Sequence, residues 1–154
     1  MASLSQIPME ELLPHRNPMI LIDHLLIAEP DRSVCGLAIT DQSPFIEEQG
    51  VPAYVGLEYM AQAIAAHGGY QAYSSQQAIS IGFLLGTPQF VSHCVFFERG
   101  QYLHIEVIQT WGEGEMRRFD CRILDGRNDE VLQEGLINVF RPANFEDFLR
   151  GTQN

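Results

Sequence analysis

Lysine is absent from this chain: all nine basic residues are arginine, set against 20 acids for a formal net charge of −11. Nucleic-acid binding draws on a basic footprint, so this balance argues against that class of partner. Cysteine is scarce as well. Cys35, Cys94 and Cys121 lie far apart, are odd in number and form no Cys-x-x-Cys pair, which argues against a disulfide framework. Small buried hydrophobes are the default reading of all three. No apolar run is long and continuous enough to span a bilayer, because Glu58 and His67-Gly68-Gly69 interrupt the best candidate. The first residues, Met1-Ala2-Ser3-Leu4-Ser5-Gln6, lack the basic start and apolar stretch of a signal peptide, so a cytoplasmic location is expected. The five histidines show no close pair at ligand spacing and no glycine-rich phosphate loop is present, so neither a metal nor a cofactor is expected.

What is there fits one domain over residues 1–154, with 45% hydrophobic residues to build a core. Pro8 to Leu13 reads as a short helix ended by Pro14. Met19 to Ile27 and Ser33 to Thr40 read as strands, and residues 41–53, with two prolines and a glycine, as an irregular loop. A helix follows from about Tyr54 to Tyr73. Ile79 to Leu85 and Phe90 to Phe97 read as two short strands around Gly86-Thr87-Pro88. Tyr102 to Trp111, Arg118 to Ile123 and Val131 to Phe140 make an antiparallel meander, with Phe119, Cys121 and Ile123 facing one way. A last short helix is expected around Phe145 to Leu149. One long buried helix and a strongly bent antiparallel sheet suggest that the sheet wraps the helix: an α+β domain of the hot-dog type. Such a sheet leaves an edge strand that a second copy would cover, so a dimer is the expected minimum.

Glu58 is the only charged residue between Val51 and Ala66. A run that is apolar on every face reads as a helix buried all round. A carboxyl group placed there suits proton-transfer chemistry, while the plainer reading is a structural glutamate hydrogen-bonded at a subunit interface. Arg117, Arg118, Arg122 and Arg127 form a local basic set. It suits a phosphate or an acidic partner, although arginines on the wet face of a strand are the commoner case.

Two stretches resemble the β-hydroxyacyl-acyl carrier protein dehydratases of the hot-dog superfamily. Leu13-Pro14-His15-Arg16-Asn17-Pro18-Met19-Ile20-Leu21-Ile22-Asp23 is similar to their opening motif and the strand after it. Val51-Pro52-Ala53-Tyr54-Val55-Gly56-Leu57-Glu58-Tyr59-Met60-Ala61-Gln62 is similar to their helix start and glutamate signature. The resemblance implies dehydration of a 3-hydroxyacyl thioester carried on the phosphopantetheine arm of an acyl carrier protein. It implies Glu58 as the catalytic carboxylate, Gln62 orienting it, and backbone N–H groups of Ala53 and Tyr54 at the helix start polarising the thioester carbonyl. A branch found in aryl-polyene pigment clusters looks similar in carrying the same proline-helix-glutamate pattern.

The chain departs from the family in two respects: Ala53 stands where the family has a glycine, and the larger departure lies in the loop before the helix. The loop Ser43-Pro44-Phe45-Ile46-Glu47-Glu48-Gln49-Gly50 holds no histidine where the family has its second catalytic residue. His67 is nine residues from Glu58, about 180° round a helix, and His24, His93 and His104 lie in strand-like segments. His15 is the best remaining candidate, with Glu47 and Glu48 as acids in the right loop. Three functions stay open: a dehydratase, an acyl-thioesterase, and a non-catalytic acyl-binding subunit that pairs with an active hot-dog partner. Homodimer, larger oligomer and heteromer are all compatible with the sequence.

Overall fold

The computed structural model describes residues 3–143 and 149–151. Two short 3-10 turns, Leu4–Gln6 and Met9–Glu11, precede the sheet. The strands are β1 (His24–Ala28), β2 (Arg32–Ala38), β3 (Val51–Pro52), β4 (Phe83–Ser92), β5 (Phe96–Phe97), β6 (Tyr102–Glu113), β7 (Met116–Asp125) and β8 (Val131–Phe140). Between β3 and β4 a 3-10 turn, Ala53–Val55, runs into the helix α1 (Gly56–Ser74). Six strands form one antiparallel sheet in the order β1-β2-β6-β7-β8-β4, and β3 pairs only with β5. This is the hot-dog arrangement, with α1 packed against β2, β6 and β7.

The period-two pattern of β7 places Phe119, Cys121 and Ile123 in the core while Arg118 and Asp120 face solvent. Beneath them α1 presents Tyr59, Met60 and Ala63, none more than 2% exposed. Each large side chain so buried contributes about 1.5–3 kcal/mol relative to exposure. Cys35 and Cys121 are buried, as small hydrophobes would be, whereas Cys94 is only half-buried; all three are free. Burial pushes the Cys35 thiol up to about 12. On the sheet, Glu106 of β6 lies between Arg32 of β2 and Arg122 of β7, with contacts of 2.8 and 2.6 Å. Burial alone raises that carboxyl, but the arginine hydrogen bonds outweigh it and hold the group below its ordinary value.

Several elements differ from expectation. Strand β1 begins at His24 rather than Met19, because residues 19–21 bond to a helix side chain instead of a neighbouring strand. The two short strands expected around Gly86-Thr87-Pro88 are one strand, β4, whose register to β8 shifts on either side of Gly86. The physical reason is position. β4 is an edge strand, where a proline without an N–H costs no inter-strand bond. The segment expected to end that pair, Phe96–Phe97, belongs instead to β5. Helix α1 runs unbroken through Gly68-Gly69. A Cβ on Gly69 would sit 1.8 Å from the Leu12 carbonyl oxygen, so this glycine lets the N-terminal segment lie directly on the helix. The expected helix around Phe145 to Leu149 falls mostly on residues 144–148, outside the described residues.

Candidate active site

Helix α1 is not buried on every face. Tyr59, Met60 and Ala63 pack on the sheet, but the Glu58 side chain is 46% exposed in the single chain. It opens on a cavity of about 490 Å³. The sequence pattern misled because Ala61, Ala65 and Gly68 are as apolar as the core face while lining a void.

Gln62 locks the carboxylate in place. The Leu21 N–H donates to Gln62 Oε1 at 2.9 Å, which fixes which end of the amide is which. Gln62 Nε2 then donates to the Met19 carbonyl at 2.7 Å and to Glu58 Oε1 at 3.0 Å. Both amide protons are used and the side chain is fully buried. Glu58 Oε2 has no hydrogen-bond partner among the described residues, so it is the oxygen available to a ligand. The expected orienting role of Gln62 therefore has matching geometry; the backbone that anchors Gln62 was not foreseen.

His15 comes to the same place from the N-terminal segment. Its Nε2 lies 3.8 Å from Glu58 Oε1, beyond hydrogen-bond length but within reach of one inserted group. Its Nδ1 is buried and has no hydrogen-bond partner among the described residues. The segment is held by Arg16, whose guanidinium donates to the carbonyls of Leu13 at 3.1 Å and His15 at 2.7 Å. One chain thus brings together a carboxylate and an imidazole, both partly exposed, at one end of a lined cavity.

The other candidates are placed elsewhere, apart from His67, which also lines the cavity. The Ala53 N–H donates to the Val95 carbonyl at 2.9 Å, which removes one of the two donors expected at the helix start. Tyr54 is 72% exposed, on a second and more open pocket that also includes Glu47 and Val95. Neither Glu47 nor Glu48 lines the Glu58 cavity; Arg99 holds their backbone carbonyls, with its Nη2 donating to the Glu47 carbonyl at 2.6 Å and its Nη1 to that of Glu48. His67 is buried with Nδ1 2.6 Å from Ser33 Oγ and its ring edge-on to Phe119. Burial lowers its basicity. Among the described residues no cluster of three or more histidine, cysteine or acidic side chains could hold a metal, and no helix is long and apolar enough to cross a membrane.

The basic set divides. Arg118 bonds Asn138, Arg122 bonds Glu106 and Arg127 bonds Asp125. Arg117 alone of the four lines the cavity, with Arg141. The signal for this lay in the sequence: residue 117 shares parity with Phe119 and Ile123 on β7, as residue 141 does with Ile137 and Val139 on β8.

Comparison with known proteins shows the family and the fold. The family model for ApeP-like proteins, described as ApeP dehydratase, matches residues 7–150. Among solved structures, a dehydratase heterocomplex, ApeI:P from Xenorhabdus doucetiae, superposes with a TM-score of 0.85 at 24% identity, covering 96% of this chain and 99% of that one. Zebrafish thioesterase superfamily member 2 gives a TM-score of 0.66 at 11% identity over 92% and 99% of the two chains. The PaaI protein of the Escherichia coli phenylacetic acid degradation operon gives 0.61 at 11% over 76% and 81%. No curated protein matches the chain.

Proposed function

This chain belongs to the ApeP-like dehydratase family, and we propose that it removes water from a 3-hydroxyacyl thioester carried on an acyl carrier protein, in aryl-polyene-type acyl synthesis. The observation that carries this reading is the approach of His15 Nε2 to Glu58 Oε1 with Gln62 fixing the carboxylate. Dehydration needs two proton movements on adjacent carbons. The C2–H bond breaks and its electron pair forms the C2=C3 double bond. The C3–O bond breaks, and the hydroxyl leaves as water after taking a proton. Glu58 and His15 between them accept the first proton and supply the second. A substrate lying across the two groups, in the cavity they border, can meet both at once.

A second reading is favoured by the loop before α1, which carries no histidine, and by likeness to one component of a heterocomplex. In it the chain is the partner of another hot-dog dehydratase, and the assembled pair is the working enzyme. Strand β4 supports pairing in either form. It is a sheet edge on which Leu85 is 54% and Val91 48% exposed. A cytoplasmic setting follows from the carrier-protein substrate under this reading. The likenesses to the zebrafish thioesterase superfamily member and to PaaI, both at 11% identity, speak only for the fold.

The test is mass spectrometry of a 3-hydroxyacyl carrier protein after incubation with the chain alone, and with a hot-dog partner. Loss of one water with the wild type and none with Glu58→Gln supports the dehydratase. Appearance of free acid instead would replace it with a thioesterase. Water loss only with a partner present, insensitive to Glu58→Gln, would leave this chain the accessory role.

A further inference from the structure

The cavity that begins at Glu58 ends in cationic groups. On α1 it follows Glu58, Ala61, Ala65 and Gly68, a stretch of about 15 Å at 1.5 Å per residue. The sheet side is apolar over Phe119, Ile137 and Val139. Beyond them stand Arg117 and Arg141, brought side by side because Arg117 pairs in register with Val139, two residues before Arg141. The Arg141 guanidinium lies over Gly68: a Cβ there would sit 2.6 Å from Arg141 Nη1.

Neither arginine has a carboxylate partner among the described residues. Arg117 Nη1 donates to the backbone carbonyls of Gly114 at 2.6 Å and Met116 at 2.7 Å. Arg141 is half-buried with no side-chain hydrogen bond, and Asp31, also lining the cavity, forms no ion pair with either. A half-buried, unpaired cation beside a like charge is unfavourable, and burial together with Arg117 weakens the hold of Arg141 on its proton. Arg32, Arg99, Arg122 and Arg127 each have an acidic partner that offsets that cost locally. These two have none among the described residues, and both face the same void.

We infer that Arg117 and Arg141 form a subsite for an oxyanion at the far end of the acyl chain, so that the preferred substrate is an acyl thioester whose distal terminus carries an acidic oxygen group. This rests on the proposed reaction at Glu58 for the direction of the substrate. The thioester carbonyl belongs toward the helix start, N-terminal to Glu58, and the cavity leads the other way. The guanidinium fork matches the two oxygens of a carboxylate, and the apolar walls between suit the carbon chain.

The experiment uses the full chain and unreactive thioether analogues of 3-hydroxyacyl-pantetheine, matched in length, one ending in carboxylate and one in methyl. Calorimetry reads binding independently of turnover. The carboxylate-ended analogue binds about tenfold or more tightly to the wild type, as expected for charge-assisted hydrogen bonds. Arg117→Met and Arg141→Met each bring the ratio toward one with the methyl-ended affinity retained; should one variant fail to fold, the other decides. Equal binding of both analogues by the wild type, or a ratio that neither substitution moves, overturns the subsite. Repeating the titration with phosphopantetheine analogues tests the other source of an oxyanion. If the added phosphate tightens both ligands through Arg141, the site serves the carrier arm and the distal assignment is overturned. Preference for the carboxylate without water loss from reactive substrates would sink the dehydratase reading and leave the subsite standing.

Discussion

Glu58 Oε1 accepts a hydrogen bond from Gln62 Nε2 at 3.0 Å, one turn along the same helix. The same amide nitrogen is held at 2.7 Å by the Met19 carbonyl, so the orientation of the carboxylate depends on chain 43 residues away from Gln62.

Glu58→Gln is expected to leave the fold intact, because the side chain is partly exposed and contributes no buried charge. Water loss falls on the order of 10²–10⁴-fold. Circular dichroism and the mass-spectrometric assay, run on the same sample, check both halves; retained turnover would remove Glu58 from the mechanism.

Gln62→Ala acts on stability and activity together. It strands the Leu21 N–H at a buried site, which costs about 1–3 kcal/mol, and releases the part-buried Met19 carbonyl. Denaturant titration reads that loss. Gln62→Glu replaces the donor with a second carboxylate facing Glu58, and its activity should fall at least as far as that of the alanine variant.

His15→Asn keeps a polar side chain of similar bulk but removes a proton carrier. A drop of roughly 10²–10⁴-fold in turnover, with the fold retained, is the expected result. Undiminished turnover would move the second role away from His15.

His67 sets a pH dependence of stability. Burial lowers its basicity, an effect that nearby Asp31 and the Pro30 carbonyl oppose in part and Arg141 reinforces. The unfolded chain therefore binds a proton at higher pH than the folded one. Stability is undiminished above the unfolded value of about 6.5 and falls as the pH drops below it. Chemical denaturation at several pH values should show this slope, and His67→Gln should flatten it.

Gly69→Ala places a methyl group against the Leu12 carbonyl, a backbone atom that cannot swing aside. The N-terminal segment has to shift, and His15 lies three residues further on. Reduced thermal stability and reduced turnover are expected together, whereas Gly86→Ala, with open space around it, should leave the melting temperature nearly unchanged.

Much of this was legible in the sequence, for identifiable reasons. The alternation of Phe119, Cys121 and Ile123 located the meander, and the lone charge in the 51–66 run located the carboxylate. Gln62 came with the family resemblance, its spacing placing it on the same helix face as Glu58. What the pattern did not resolve was the environment of each apolar face. Ala61 and Ala65 read as core although they border a cavity, since hydropathy is the same for both. Gly86-Thr87-Pro88 read as a break between strands because local propensity carries no knowledge of an edge position. The bond from Ala53 N–H to Val95 joins residues far apart in sequence, and no local signal announces it.

Under the proposed reaction, in which His15 and Glu58 of one chain act together, each subunit of a homodimer would work independently of the other. Mixing an E58Q chain with an H15N chain yields no complementation in shared dimers, since neither chain can lend the residue the other lacks. Activity of a mixed assembly should rise in direct proportion to its intact subunits. A site divided between subunits would instead recover part of its turnover on mixing.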